Sequence, residues 1–222
     1  MDYCNFIDFK ISIIGDSNVG KTCIIKKFIE GNKFDINKDT PNATMGIEYY
    51  IHSTSIDGKK IRIKFEDTIG TEKYRSIVLS SLRGADGLLI VFDLNCEESF
   101  DNIIYWVNQA KQVIDINNVE VYMIGNKCDL ERKVTEIRIE NFKRKNNLDV
   151  KFNYFETSAL TGNGINECML DLFDKLLDRY KGNKTKNQFE IITENEYSSK
   201  SIKLNEKNSK KKNFSHKIKN CC

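Results

Sequence analysis

Long apolar runs are missing from this 222-residue chain, and no stretch approaches a membrane span. Met1 to Lys10 carries Asp2 and Asp8 and no basic, apolar leader, which argues against a secretory signal. Residue 2 is Asp2 rather than glycine, so N-myristoylation is excluded. Histidine is scarce: His52 and His216 lack metal-binding neighbours at useful spacing, and no zinc site is expected. The seven cysteines, an odd number at 4, 23, 96, 128, 168, 221 and 222, do not form a disulfide framework. Scattered free thiols suit a reducing compartment, so Asn42-Ala43-Thr44 is not read as a glycosylation site. No internal repeat is evident.

At 222 residues the chain instead fits one α/β domain with an appendage, and hydrophobic residues at 40% and charged residues at 30% read as soluble and globular. The net charge of +3 is uneven: Gly182 to Cys222 holds ten Lys against four Glu, which leaves −3 on residues 1–181. An acidic body with a basic tail points to a surface-seeking tail and not to a nucleic-acid-binding domain. After Lys181 the pattern dissolves into Asn, Lys, Ser and Glu, too polar to offset the entropy of ordering. The expected organisation is a folded domain over 1–181 and a disordered basic tail over 182–222.

Short Ile-, Val- and Leu-rich runs alternate with helical patterns through the body. Strands are expected at Phe9–Ile14, Ile47–Ser55, Lys60–Phe65, Leu88–Asp93, Val119–Asn126 and Phe152–Thr157. Asp57-Gly58 is a hairpin signal that makes the second and third antiparallel. Helices are expected at Thr22–Glu30, Ile77–Arg83, Ser99–Ile114, Thr135–Asn146 and Ile165–Tyr180. Trp106, inside the third, reads as a packing residue and not a catalytic one. The fold class is α/β: a doubly wound, mostly parallel six-stranded sheet, of the P-loop NTPase type on the G-x-x-x-x-G-K-[ST] run over Gly15 to Thr22. It has one antiparallel strand, helices on both faces and ligands at the strand carboxyl ends.

The most informative stretch is Gly15-Asp16-Ser17-Asn18-Val19-Gly20-Lys21-Thr22, which spells G-x-x-x-x-G-K-[ST] between an apolar strand and a helix. Glycines let backbone N–H groups turn toward phosphate oxygens, Lys21 adds a mobile charge, and the Thr22 hydroxyl can ligate Mg²⁺. This loop, with Cys23 after it, is the candidate triphosphate site. Asp67-Thr68-Ile69-Gly70 follows a later strand; Asp67 suits Mg²⁺ coordination through water, and Gly70 can offer its N–H to a γ-phosphate. Asn126-Lys127-Cys128-Asp129 decides the base. A fixed Asp129 carboxylate can accept guanine's N1–H and 2-amino group together, a donor pair that adenine lacks. Asn126 would tie this segment to the phosphate loop, and the Lys127 stem would lie along the base. In Thr157-Ser158-Ala159-Leu160, the Ala159 N–H could meet the guanine O6, with Ser158 and Leu160 beside it.

In this order these motifs resemble the Ras superfamily of small GTPases. Met45-Gly46-Ile47-Glu48-Tyr49, Glu72-Lys73-Tyr74-Arg75-Ser76-Ile77 and Arg83-Gly84-Ala85-Asp86-Gly87 are similar to segments of the Rab family, and the terminal Cys221-Cys222 agrees. The resemblance implies GTP and GDP binding with Mg²⁺, two switch regions, and Thr44 as the switch I residue that ligates Mg²⁺ and senses the γ-phosphate. It implies Phe34 as the aromatic against the guanine edge. It further implies an exchange factor, a GTPase-activating protein, effectors, prenylation machinery and a GDP-dissociation inhibitor as partners of a monomer. The expected location is the cytoplasmic face of an intracellular membrane, in exchange with the cytosol, and the expected role is vesicle traffic.

The chain departs from the family pattern D-T-A-G-Q-E, reading Asp67-Thr68-Ile69-Gly70-Thr71-Glu72. Thr71, Lys21 and Thr44 are the candidate catalytic residues, and Thr71 stands where a water-orienting Gln belongs. Slow hydrolysis is expected, and either the GTP form persists or groups are supplied in trans. A non-hydrolysing, GTP-loaded scaffold is one alternative. A Ras-like GTPase outside the Rab group is another, since the Rab aromatic triad falls on Tyr49, Glu66 and Ser81. Cys221 and Cys222 lack a C-a-a-X pattern, match a double-cysteine Rab ending and imply geranylgeranylation of both thiols. Lys210, Lys211, Lys212, Lys217 and Lys219 would assist at an anionic leaflet.

Overall fold

A six-stranded sheet organises the computed structural model, which describes residues 6–38, 44–70, 75–146, 148 and 152–182. Thr71, Cys221 and Cys222 lie outside the described residues, as does most of the expected tail. The strands are β1 (Ile7–Gly15), β2 (Ile47–Ile56), β3 (Lys59–Thr68), β4 (Gly87–Asp93), β5 (Glu120–Asn126) and β6 (Phe152–Glu156). Their spatial order is β2-β3-β1-β4-β5-β6. Only the β2–β3 pair is antiparallel. Its turn works because Asp57 and Gly58 both take positive φ, at 51° and 71°, matching the twist of the two strands. Strand order reverses on either side of β1, so loops after β1, β4 and β5 converge at one end of the sheet.

Helices α1 (Lys21–Glu30), α2 (Arg75–Leu82), α3 (Glu97–Asp101), α4 (Ile103–Ala110), α5 (Glu136–Lys145) and α6 (165–182) accompany the sheet. The Thr135 hydroxyl caps α5 by accepting from the Arg138 N–H at 3.3 Å. The chain divides into Met1–Leu176, which holds the sheet and the site, and Leu177–Cys222, whose boundary falls within α6.

β4 is buried along its whole length, as a central parallel strand covered on both faces must be. Phe92 meets Phe100 edge-on at 5.2 Å, and Val78, Leu82, Ile103, Trp106 and Val107 belong to the same cluster. Each fully buried side chain of this size contributes about 1.5–3 kcal/mol. Phe28 of α1 fills the space between Phe65, Phe173 and His52, at 6.1, 5.7 and 4.9 Å. Burial pulls the His52 imidazole below its usual pKa.

Two expectations need correction here. The single helix over Ser99–Ile114 is instead α3 and α4, broken at Asn102, with turns from Lys111. β3 does not stop at Phe65 but continues through Thr68, because Asp67 and Thr68 are buried and paired with Ile13, Glu48 and Ile47.

Candidate functional site

Where the β1, β3 and β5 ends meet, a cavity of about 630 Å³ opens, lined by the phosphate loop, the two later motifs and part of the segment before β2. The loop at its floor is shaped by Gly20, whose φ of +96° is a left-handed conformation. A Cβ there would fall 2.3 Å from Asn126 Nδ2, so the position has room only for glycine. Lys21 is buried, and its ammonium donates to the carbonyls of Gly15 at 2.9 Å and Asp16 at 2.7 Å. Burial lowers its pKa from 10.5 to about 8, against the pull of the Asp67 and Asp16 charges. Phosphate oxygens would return the missing counter-charge. Gly70 passes so close that a Cβ would sit 2.5 Å from Lys21 Nζ and 2.4 Å from the Asp16 carbonyl carbon. The Ser17 hydroxyl fastens the two segments by donating to the Gly70 carbonyl at 3.0 Å.

Thr22, Thr44 and Asp67 come together. Their hydroxyls stand 3.1 Å apart, the Thr44 Oγ1 lies 3.3 Å from Asp67 Oδ2, and the Thr22 hydroxyl donates to the same oxygen. Asp67 Oδ1 is buried with no hydrogen-bond partner. Burial pushes this carboxyl above the usual range, with the Thr22 hydroxyl and Lys21 pulling the other way. Two hydroxyls beside an unsatisfied carboxylate oxygen fit a hard cation such as Mg²⁺, which keeps waters and shares phosphate oxygens. When bound, that ion would offset charge on the phosphates.

Asn126 is the knot of the base end. Its Nδ2 donates to the Val19 carbonyl at 2.8 Å, while its Oδ1 accepts from Thr157 Oγ1 at 3.1 Å and the Ala159 N–H at 3.2 Å. One amide thus joins the phosphate loop, the end of β5 and the loop after β6. Lys127, with φ 63°, lines the cavity and pairs with Asp93 at 2.7 Å, which fixes its stem. The Ser158 hydroxyl donates to Asp129 Oδ1 and accepts from the Thr161 N–H at 3.1 Å. Cys23, half-buried, also lines the cavity, and burial raises its thiol above its usual pKa.

Two candidates sit differently from expectation, and Trp106 meets its expectation with an added contact. Phe34 is only 2% exposed, in the core, and does not line the cavity; Ile36 and Asn37 do. The Ala159 N–H, expected to face a base, is directed at Asn126. Trp106 is buried as a packing residue should be, yet its indole also donates to Asp16. A Trp four residues after Asn102 puts two N–H donors on one helical side, a signal that packing periodicity hides.

The Ras family profile matches residues 10–178. The chain is 36% identical to the Ras-related protein Rab-13 of Bos taurus, covering 81% of this chain and 85% of that one. It is 34% identical to Ras-related protein Rab-30 of Homo sapiens, over 79% of this chain and 83% of that one. For Ras-related protein Rab-8B of Pongo abelii the figures are 37%, 74% and 76%. This chain belongs to the Rab family of Ras-type small GTPases. The alternative outside the Rab group is therefore set aside.

In this Rab-family chain, Tyr49, Glu66 and Ser81 stand in three different environments. Tyr49 is 57% exposed with Lys64 Nζ 4.1 Å above its ring. Its neighbour across the strands, Glu66, is buried between Lys10 at 3.0 Å and Lys64 at 2.8 Å. Ser81, also buried, turns inward to donate to the Val78 carbonyl at 2.7 Å. The three positions thus hold an exposed aromatic, a buried ion-paired carboxylate and a buried hydroxyl.

Proposed function

We propose that the chain is a guanine-nucleotide switch of vesicle traffic that holds GTP or GDP with Mg²⁺, hydrolyses GTP slowly and attaches to a membrane by its C-terminal cysteines. The observation that carries the nucleotide reading is Asn126, at the head of the Asp129 segment, which ties the phosphate loop and the Ala159 loop into one cavity wall. Thr22, Thr44 and Asp67 take the metal, Lys21 and Gly70 the γ-phosphate, and Asp129 the base. Exchange factors, activating proteins and effectors meet the switch regions. Prenylation machinery and a GDP-dissociation inhibitor act on the cysteine end. The charged pairing of Glu66 supports effectors that differ from readers of an aromatic triad.

The slow step is assigned to Thr71, whose short side chain cannot span an attacking water and the transition-state oxygens together. Thr71→Gln, combined with Ile69→Ala to clear space in the cavity, is expected to raise intrinsic single-turnover hydrolysis about tenfold, or ~1.4 kcal/mol of barrier. GTP affinity should hardly change, because this side chain acts in the transition state. A double variant no faster than its parent places the defect elsewhere in the switches. The GTP-loaded scaffold is favoured by the same residue, and a parent that shows no turnover even with activating proteins would select it.

A further inference from the structure

Asp16 poses an electrostatic problem. It is the only acidic residue of the loop from Gly15 to Thr22, and that loop exists to receive a polyanion. A free carboxylate at this place would repel the phosphates at short range, where solvent screens poorly. Yet the Asp16 side chain does not line the cavity, although Ser17 and Asn18 after it do. Both of its oxygens are gripped from the side of α4. Trp106 Nε1 donates to Oδ1 at 2.7 Å, and Asn102 Nδ2 donates to Oδ2 at 2.8 Å. Hydrogen bonds to an ionised acceptor are the strong kind and fix direction. The same residue's carbonyl accepts from Lys21 Nζ at 2.7 Å, so whatever holds Asp16 also holds the ammonium. Trp106 is 2% exposed and packed in the cluster that contains Val78 and Leu82 of α2, which gives the grip a rigid base. The helix break at Asn102 frames this contact, with Asn102 as the N-cap of α4.

We propose that Trp106 and Asn102 are positioning residues for nucleotide retention, holding the Asp16 carboxylate out of the phosphate cavity and the loop in its receiving shape. The proposal rests on reading the cavity as the guanine-nucleotide site.

Trp106→Phe tests it, because the ring volume stays and the N–H is lost. In the full-length, Mg²⁺-containing GDP complex, release of a fluorescent GDP analogue should accelerate about tenfold, the scale of one lost charge-assisted hydrogen bond. In an Asp16→Ala background the same substitution should change release by less than about twofold, since no carboxylate remains to be misplaced. A packing role alone predicts equal fold-changes in both backgrounds, and that result overturns the proposal. Asn102→Ala, at a half-exposed position, supplies a second variant with the same background dependence should Trp106→Phe fold poorly. Trp106 is the one tryptophan of the chain, so the protein has a single indole N–H resonance. It should move upfield in Asp16→Ala; an unmoved resonance means the hydrogen bond is not made in solution. A parent chain that retains no GDP analogue overturns the cavity reading itself, whereas equal release from parent and Trp106→Phe overturns only the positioning role.

Discussion

Asp129→Asn is expected to weaken GDP binding roughly a thousandfold, about 4 kcal/mol, and to shift preference to xanthine nucleotides. The carboxylate can accept two guanine donors at once, and each such charge-assisted bond is worth about 1.5–3 kcal/mol. The neighbourhood determines how an amide would sit there. Ser158 donates its hydroxyl proton to Asp129 Oδ1, and one of its two lone pairs is engaged by the Thr161 N–H. The hydroxyl proton aimed at Oδ1 favours an amide that keeps its oxygen toward Ser158 and presents its NH₂ to the base. That NH₂ opposes the 2-amino group of guanine and matches the 2-carbonyl of xanthine. The fold should tolerate the change, because Lys127 draws its counter-charge from Asp93 and not from Asp129. Competition binding with GDP and xanthosine diphosphate checks it, with thermal unfolding as a control on the fold. Unchanged GDP affinity would remove Asp129 from the base site.

That residue was legible in sequence because N-K-x-D is a contiguous motif at a strand end, and contiguous motifs carry their own geometry. The sheet was legible for a similar reason: parallel strands buried on both faces read as unbroken apolar runs, and Asp57-Gly58 announces its turn. What stayed hidden depends on pairs far apart in the chain. Asp67 looked like a residue beyond a strand because a carboxylate is a poor strand former; tertiary context overrides that preference, and its burial follows from pairing with Ile13 and Glu48. The resemblance points Phe34 at the base, yet a side chain so apolar gains more in the core, and Ile36 and Asn37 line the cavity instead. The Asp16–Trp106 contact spans 90 residues, and nothing local to either residue announces it. Asn126 fell between these cases: its tie to the phosphate loop follows from the motif, whereas its hold on the Ala159 N–H does not.

Replacing Cys221 and Cys222 by Ser is expected to move the protein almost wholly from membranes to cytosol, with GDP binding unchanged. On the proposed reading each thiol carries a geranylgeranyl chain. Burial of hydrocarbon contributes about 0.8 kcal/mol per CH₂, yet one acyl chain of moderate length anchors only marginally. Two chains on adjacent residues enter the bilayer together, so the second finds its site at high effective concentration. The single variants Cys221→Ser and Cys222→Ser should therefore show reversible, partial attachment, and only the double variant should be fully released. The lysines add a separate, salt-sensitive contribution. Neutralising Lys210, Lys211 and Lys212 removes about 1 kcal/mol each at an anionic leaflet, which weakens attachment without abolishing it. Among the described residues no helix is long and apolar enough to cross a membrane, so no alternative span in that part competes with the lipid reading. Flotation of the full chain with vesicles, after prenylation in a eukaryotic lysate, separates these contributions. Release by high salt alone would assign the anchor to charge, and recovery of the double variant with membranes would place the anchor outside the cysteine pair.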